Sequence, residues 1–206
     1  FCVGKNYHAH VEEVQRRIAA DRPAADAVPQ VPVIFTKAPS CVIGPGAPIP
    51  SHLDPTDSVD YEAEIGVVIG EGGLGIRRED AWNHVYGYTL INDVTSRRIQ
   101  RRHEQWFLGK SIDGFCPMGP TLVTADEIED PLAIVLECRV NGELRQHAPV
   151  EAMIFDIPTV IETLSRTMRL EPGDVIATGT PAGVGFGYDP PKYLVPGDTV
   201  VVSASG

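Results

Sequence analysis

Asp60-Tyr-Glu-Ala-Glu-Ile-Gly-Val-Val-Ile69 carries the clearest alternation in the chain. Tyr61, Ala63, Ile65, Val67 and Ile69 fall on one side of an extended backbone; Asp60, Glu62, Glu64, Gly66 and Val68 fall on the other. This predicts a strand with one apolar face. Outward from it, Val85 to Ile91 reads as a second strand and Val33-Ile34-Phe35 as a short one, with Gly44 to Pro50 a turn-rich connection. Ile134 to Val140 and Leu144 to Gln146 flank Asn141-Gly142, a strong hairpin signal. Leu170 to Ile176 and Leu194 to Val200 are each a Pro-Gly turn feeding a strand, and two copies do not make a repeat array.

Helices are fewer. Tyr7, Val11, Val14 and Ile18 form an apolar stripe over Tyr7 to Ala20, with Asn6 the expected cap. Arg78 to Asn83, the arginine-rich stretch Thr95 to His103 and Pro158 to Met168 also read as helical, whereas Pro23 to Pro32 reads as a surface loop. Strands outnumber helices and no linker divides the 206 residues. The expectation is a mainly β fold with a few helices (α+β), forming a single catalytic domain over residues 1–206. The chain starts at Phe1 rather than Met, so N-terminal residues are expected to be missing from it.

Composition narrows the function. Seventeen basic against 28 acidic residues give a net charge of −11, which argues against a surface that coats nucleic acid or anionic membrane. No run is long and apolar enough to span a bilayer. The four cysteines (Cys2, Cys41, Cys116, Cys138) have neither zinc-site nor disulfide-frame spacing, so reduced thiols in a cytoplasmic-type compartment are expected. An organellar matrix is the eukaryotic equivalent.

Glu62 and Glu64 project from the same strand face, about 7 Å apart at Cα. That face is either solvated or neutralised by a cation. Asp93 follows the Val85 to Ile91 strand where regular structure ends, and three carboxylates suit a hard divalent ion such as magnesium, manganese or calcium. His10 and Glu13, three apart on the first helix, can touch, which would orient the imidazole as a general base. The alternative pairs Glu13 with Arg17, and His8 lies toward the opposite side of the helix from Glu13. Lys110, one of four lysines, sits in Trp106-Phe-Leu-Gly-Lys-Ser111 and either snorkels or holds an anion in a pocket. Gly70-Glu-Gly-Gly-Leu-Gly75 matches a dinucleotide fingerprint, but the preceding strand carries glutamates where a central parallel strand is apolar on both faces. A glycine-rich hairpin turn is the better reading. Gly179-Thr-Pro-Ala-Gly-Val-Gly185 lacks the Gly-Lys-Ser/Thr ending of a P-loop, yet its amides or the Thr180 hydroxyl can approach an anion. The run Arg97, Arg98, Arg101, Arg102 reads as a solvated helix face that lends one arginine to a carboxylate.

Taken in order, several stretches resemble the fumarylacetoacetate hydrolase family in its catalytic C-terminal-domain form. They are Val3-Gly-Lys-Asn-Tyr-His-Ala-His10 with Glu13, Phe35-Thr-Lys-Ala-Pro-Ser40, Asp60 to Gly66, Asn92-Asp-Val-Thr-Ser-Arg97, Trp106 to Ser111, Val140-Asn-Gly-Glu143 and Pro172 to Gly185. The resemblance implies a mixed β-sandwich roll, a homodimer, and magnesium or manganese held by Glu62, Glu64 and Asp93, with calcium a possible substitute. It implies a water-activating dyad of His10 and Glu13, an active-site lysine at Lys110, and substrate contacts at Tyr7, Arg97, Gln100 and Thr180. Arg98 departs from the pattern, since relatives commonly carry aspartate there. The implied activity is cleavage of a C–C bond in a small 1,3-dioxo or 2-oxo acid of the acylpyruvate or fumarylpyruvate type, by activated water and a metal-bound enolate. The alternative at the same site is an oxaloacetate tautomerase or decarboxylase, or a 2-hydroxymuconate-type isomerase. A small oxo acid is the expected partner, with no nucleic acid and no membrane.

Overall fold

The computed structural model describes residues 1–18 and 28–205. The end of the expected first helix and residues 23–27 of the expected surface loop lie outside them. The strands, in chain order, are β1 (Cys2–Gly4), β2 (Val33–Phe35), β3 (Val42–Ile43), β4 (Val59–Asp60), β5 (Ala63–Ile69), β6 (Val85–Asn92), β7 (Thr95–Ser96), β8 (Cys116–Pro117), β9 (Val123–Thr124), β10 (Val135–Val140), β11 (Glu143–Pro149), β12 (Val175–Ala177) and β13 (Val200–Ser205). The α-helices are α1 (His8–Ile18), α2 (Arg97–Arg102), α3 (Phe107–Lys110) and α4 (Ile157–Ser165), joined by short 3₁₀ turns.

A six-stranded mixed sheet runs β2-β1-β12-β5-β6-β9, and a three-stranded sheet runs β11-β10-β13. Only β1 and β12 pair in parallel within the larger sheet. Tyr61 and the apolar face of β5 (Ala63, Ile65, Val67, Ile69) pack into one core with Leu136, Cys138 and Val140 of β10 and with Val160, Ile161 and Leu164 of α4. Asp156 caps α4 by accepting from the Thr159 amide, and Pro158 occupies the first turn, where no amide hydrogen is needed. Asn141 and Gly142 turn the β10–β11 hairpin at φ 52° and 83°, both in the left-handed region that this dipeptide favours.

Two expectations change. The polar face at the start of β5 is buried rather than solvated, because Lys110, Arg97 and the Gly179 loop pack against its carboxylates. Asn6 does not cap the first helix, which begins at His8. Its amide instead donates to Phe155 O and Thr178 O and accepts from the Phe155 amide, tying β1 to two distant loops. Gly70 to Gly75 leads from β5 through a short 3₁₀ helix (Arg78–His84) into antiparallel β6, with no α-helix between them; this is not a dinucleotide-binding βαβ unit. All four cysteines are free and buried. No helix among the described residues is long and apolar enough to cross a membrane.

Candidate metal centre and active site

The acidic trio converges because two strands meet in one register. Ala63 pairs with Asn92 and Glu64 with Ile91, so Glu62 and Asp93 fall beside each other where β5 begins and β6 ends. Backbone and side chain lock this corner: the Asp93 amide donates to Glu62 O at 2.8 Å, and the Glu62 amide donates to Asn92 Oδ1 at 3.0 Å. Glu62, Glu64 and Asp93 are 5%, 1% and 0% exposed, and one carboxylate oxygen from each lies within 4.8 Å of the others. Carboxylates so packed repel one another strongly unless cations share the space.

Three cations do so in part. Lys110 Nζ lies 2.6 Å from Glu62 Oε2 and 2.5 Å from Asp93 Oδ2. Arg97 bridges Glu62 Oε1 at 2.6 Å and Asp60 Oδ2 at 2.8 Å, while Lys37 Nζ lies 2.7 Å from Asp93 Oδ1. Burial alone would raise Glu62, but Lys110 and Arg97 hold its carboxyl well below the usual carboxylate range. Burial would likewise lower Lys110, yet Asp93 and Glu62 hold its ammonium above the ordinary lysine value. Glu64 goes the other way: burial, then the charges of Asp93 and Glu62, push it well above its ordinary value. Among the described residues it has no ion-pair partner, and its recorded hydrogen bond comes from the Gly179 amide at 2.7 Å. Gly179 can present that amide because it sits at φ +103°, and a Cβ there would lie 2.7 Å from Cβ of Asn6.

The donor set fits a hard divalent cation. The three residues offer oxygen only, they are buried with those oxygens within 4.8 Å of one another, and Glu64 has no ion-pair partner among the described residues to favour its charged form. The open demand for positive charge lies at Glu64.

A cavity of about 600 Å³ opens beside the trio. Glu62, Glu64, His10, Lys110, Arg97, Gln100 and Thr180 all form part of its wall. His10 Nδ1 lies 3.3 Å from Glu13 Oε2, and the Gly183 amide donates to Glu13 Oε1 at 3.0 Å, so the His–Glu pair forms rather than the Glu13–Arg17 pair. His8 is exposed. Arg97 is consumed mainly by carboxylates, leaving only buried Nη2 without a partner among the described residues. Gln100 Oε1 lies 3.5 Å from Arg97 Nη1. Thr180 Oγ1 accepts from Gln146 Nε2 at 2.7 Å, which leaves its own hydrogen to donate into the cavity. Tyr7 does not line the cavity; it is buried, its hydroxyl has no partner among the described residues, and burial followed by the charge of Glu64 raises its phenol. Arg98 lines the mouth and donates through its guanidinium to Thr56 O.

Three residues of the site have no role in the sequence reading. Asp60 accepts from Arg97 and from the Tyr61, Gly185 and Phe186 amides; Lys37 also donates to Val94 O and to the Lys110 carbonyl; Gln146 joins the Ala63 amide to Thr180. Asp60 falls on the polar side of the same alternation as Glu62 and Glu64, a signal that could have found it.

Together these features define a class: a strand-rich fold built around a buried carboxylate cluster able to hold a cation, with a His–Glu pair on an adjoining helix. The chain belongs to the fumarylacetoacetate hydrolase family, whose profile, described as fumarylacetoacetate (FAA) hydrolase C-terminal, matches residues 1–206. It is 50% identical over 202 residues to the oxaloacetate tautomerase YisK of Bacillus subtilis, a match covering 98% of this chain and 64% of that protein. Among solved structures, a fumarylacetoacetate hydrolase from psychrophilic Exiguobacterium antarcticum superposes with a TM-score of 0.86 at 49% identity, covering 100% of this chain and 70% of the other. A 2-hydroxyhepta-2,4-diene-1,7-dioate isomerase from Mycobacterium marinum gives 0.79 at 37% identity, with 100% and 69% covered.

Proposed function

We propose that this chain moves a proton at the carbon beside the carbonyl of a small 2-oxo acid, interconverting keto and enol forms, at a divalent cation held by Glu62, Glu64 and Asp93. Magnesium or manganese is the proposed ion, with calcium a substitute. The observation that carries the reading is the buried trio with unmet demand for positive charge, sharing a cavity wall with His10. Similarity to a protein named as an oxaloacetate tautomerase and to one named as a dienedioate isomerase supports proton transfer, which we place ahead of the C–C hydrolysis that the sequence reading put first, while similarity to a protein named as a fumarylacetoacetate hydrolase supports the latter.

The chemistry supplied by such a cation, when bound, is Lewis acidity toward the oxygens of the oxo acid, which acidifies the neighbouring C–H. The chain's own residues do the rest. Glu13 engages His10 Nδ1, which leaves Nε2 to take the proton from carbon and to return it to carbon or to the enol oxygen. The Thr180 hydroxyl and the Gln100 amide would donate to the substrate's anionic groups, with the charge of the Arg97 guanidinium in the same wall. Lys110, on the floor shared by Glu62 and Asp93, adds positive charge where negative charge would develop on the enolate oxygen.

Hydrolysis is the second reading, favoured by the His10–Glu13 pair, because an imidazole oriented by a carboxylate can equally take a proton from water. The test follows ketonisation of enol-oxaloacetate by its ultraviolet absorbance, beside pyruvate release from acetylpyruvate. Wild type should accelerate the first, and His10→Ala should lose about 100-fold or more of that rate. Pyruvate release alone would favour hydrolysis, and neither reaction above background would refute both. A homodimer belongs to the same proposal, and light scattering checks it.

A further inference from the structure

Two guanidinium groups meet on one aromatic ring at the cavity wall. Arg17 Cζ, in the last turn of α1, lies 5.9 Å from the centroid of Phe186, and Arg101 Cζ, on α2, lies 5.4 Å from it. Phe186 is 6% exposed and lines the cavity. Its own backbone stands on a fixed post: the Gly185 and Phe186 amides donate to Asp60 at 2.7 and 2.9 Å, and Asp60 in turn holds Arg97. Arg17 is tied a second time, through Nη1 to Asp189 Oδ1 at 2.9 Å.

We infer that Phe186 is a positioning residue: its ring, held by Arg17 and Arg101, docks α1 against α2 and so sets where His10 stands relative to the acidic trio. Helix α1 spans 11 described residues, too few to be stable alone in water, and among them His10, Val11 and Glu13 are buried. Its position therefore depends on a few tethers. Glu13 on the Gly183 amide fixes its middle, and Arg17 on Phe186 fixes its last turn. A desolvated ring strengthens its attraction for a guanidinium, and two such contacts on one side chain couple the helix bearing the His–Glu pair to the helix bearing Arg97. The effect on catalysis rests on the proposed proton-moving role of His10, whereas the grip on α1 is measurable without it.

Hydrogen–deuterium exchange on the full chain tests this, with Phe186→Leu, Phe186→Tyr and Arg17→Met beside wild type. In Phe186→Leu the α1 amides should exchange about tenfold faster while those of β5 and β10 keep their rates. Phe186→Tyr, which keeps the ring, should restore wild-type exchange. Arg17→Met, on a partly exposed side chain, should reproduce the loosening and serves if the ring replacement fails to fold. With a turned-over oxo acid, Phe186→Leu should lower kcat with KM little changed. Unchanged α1 exchange, equal loosening of α1 and β5, failure of tyrosine to rescue, or faster exchange with unaltered kcat would each overturn the inference. If no oxo acid is turned over, the proposed function falls, and the exchange data alone decide whether Phe186 holds α1.

Discussion

Glu64 sits almost fully buried beside two other carboxylates while the neighbouring ammonium and guanidinium groups pair elsewhere. Glu64→Gln removes a charge that this environment opposes. The variant should melt at or above the wild-type temperature without metal, yet gain nothing from magnesium, as differential scanning calorimetry with and without the ion will show. Lys110→Met does the reverse: it strips Glu62 and Asp93 of a shared cation in a buried place. A loss of about 3–5 kcal/mol in urea unfolding is expected. At this scale the trio and the His10–Glu13 pair were legible because acids on an otherwise apolar strand, and a histidine three residues from a glutamate, are local signals. Asp60 was harder to read as part of the site, since its partners Arg97 and Gly185 lie 37 and 125 residues away. Spacing carries no information at that range.

Among the elements, β5 and β6 make the site by register, and their alternation or apolar run shows in the sequence. The Asn141-Gly142 hairpin and the Pro158 helix were equally local and equally readable. Asn6 was not: beside a helical stripe it looks like a cap, but its three hydrogen bonds reach residues 149 and 172 positions away. Asn6→Ala should therefore cost about 2–4 kcal/mol by chemical denaturation, more than the loss of an ordinary cap, because buried backbone groups lose their partners. The loop before β4 offers a pH test. Burial would raise the Asp54 carboxyl, but the Thr56 hydroxyl and the Ser58 and Thr56 amides outweigh it and hold the group below its ordinary value. With the folded value depressed, the folded state binds fewer protons, so this stability is present above the unfolded carboxylate pKa and is lost as pH falls through the folded one. Asp54→Asn should be about 1–2 kcal/mol less stable than wild type at neutral pH. The gap should narrow on acidification, and an unchanging gap across the acid range would contradict the assignment.

In the whole molecule, strand order was the least legible feature. The parallel β1–β12 pairing joins Cys2 to Ala177, and the Phe1 ammonium donates to Val175 O, contacts that no local pattern encodes. These long closures bring β1 and the Gly179 turn up to β5, and with them the Gly179 amide that reaches Glu64. A chain of net charge −11 thus gathers Lys37, Arg97 and Lys110 around its innermost acids and still leaves Glu64 without an ion-pair partner among the described residues. Binding of manganese to metal-free protein, followed by isothermal titration calorimetry beside Glu64→Gln, tests that feature most directly. One saturable site per chain in wild type, weakened about 100-fold or lost in the variant, is the expected result. No saturable binding, or equal binding by both proteins, would contradict it.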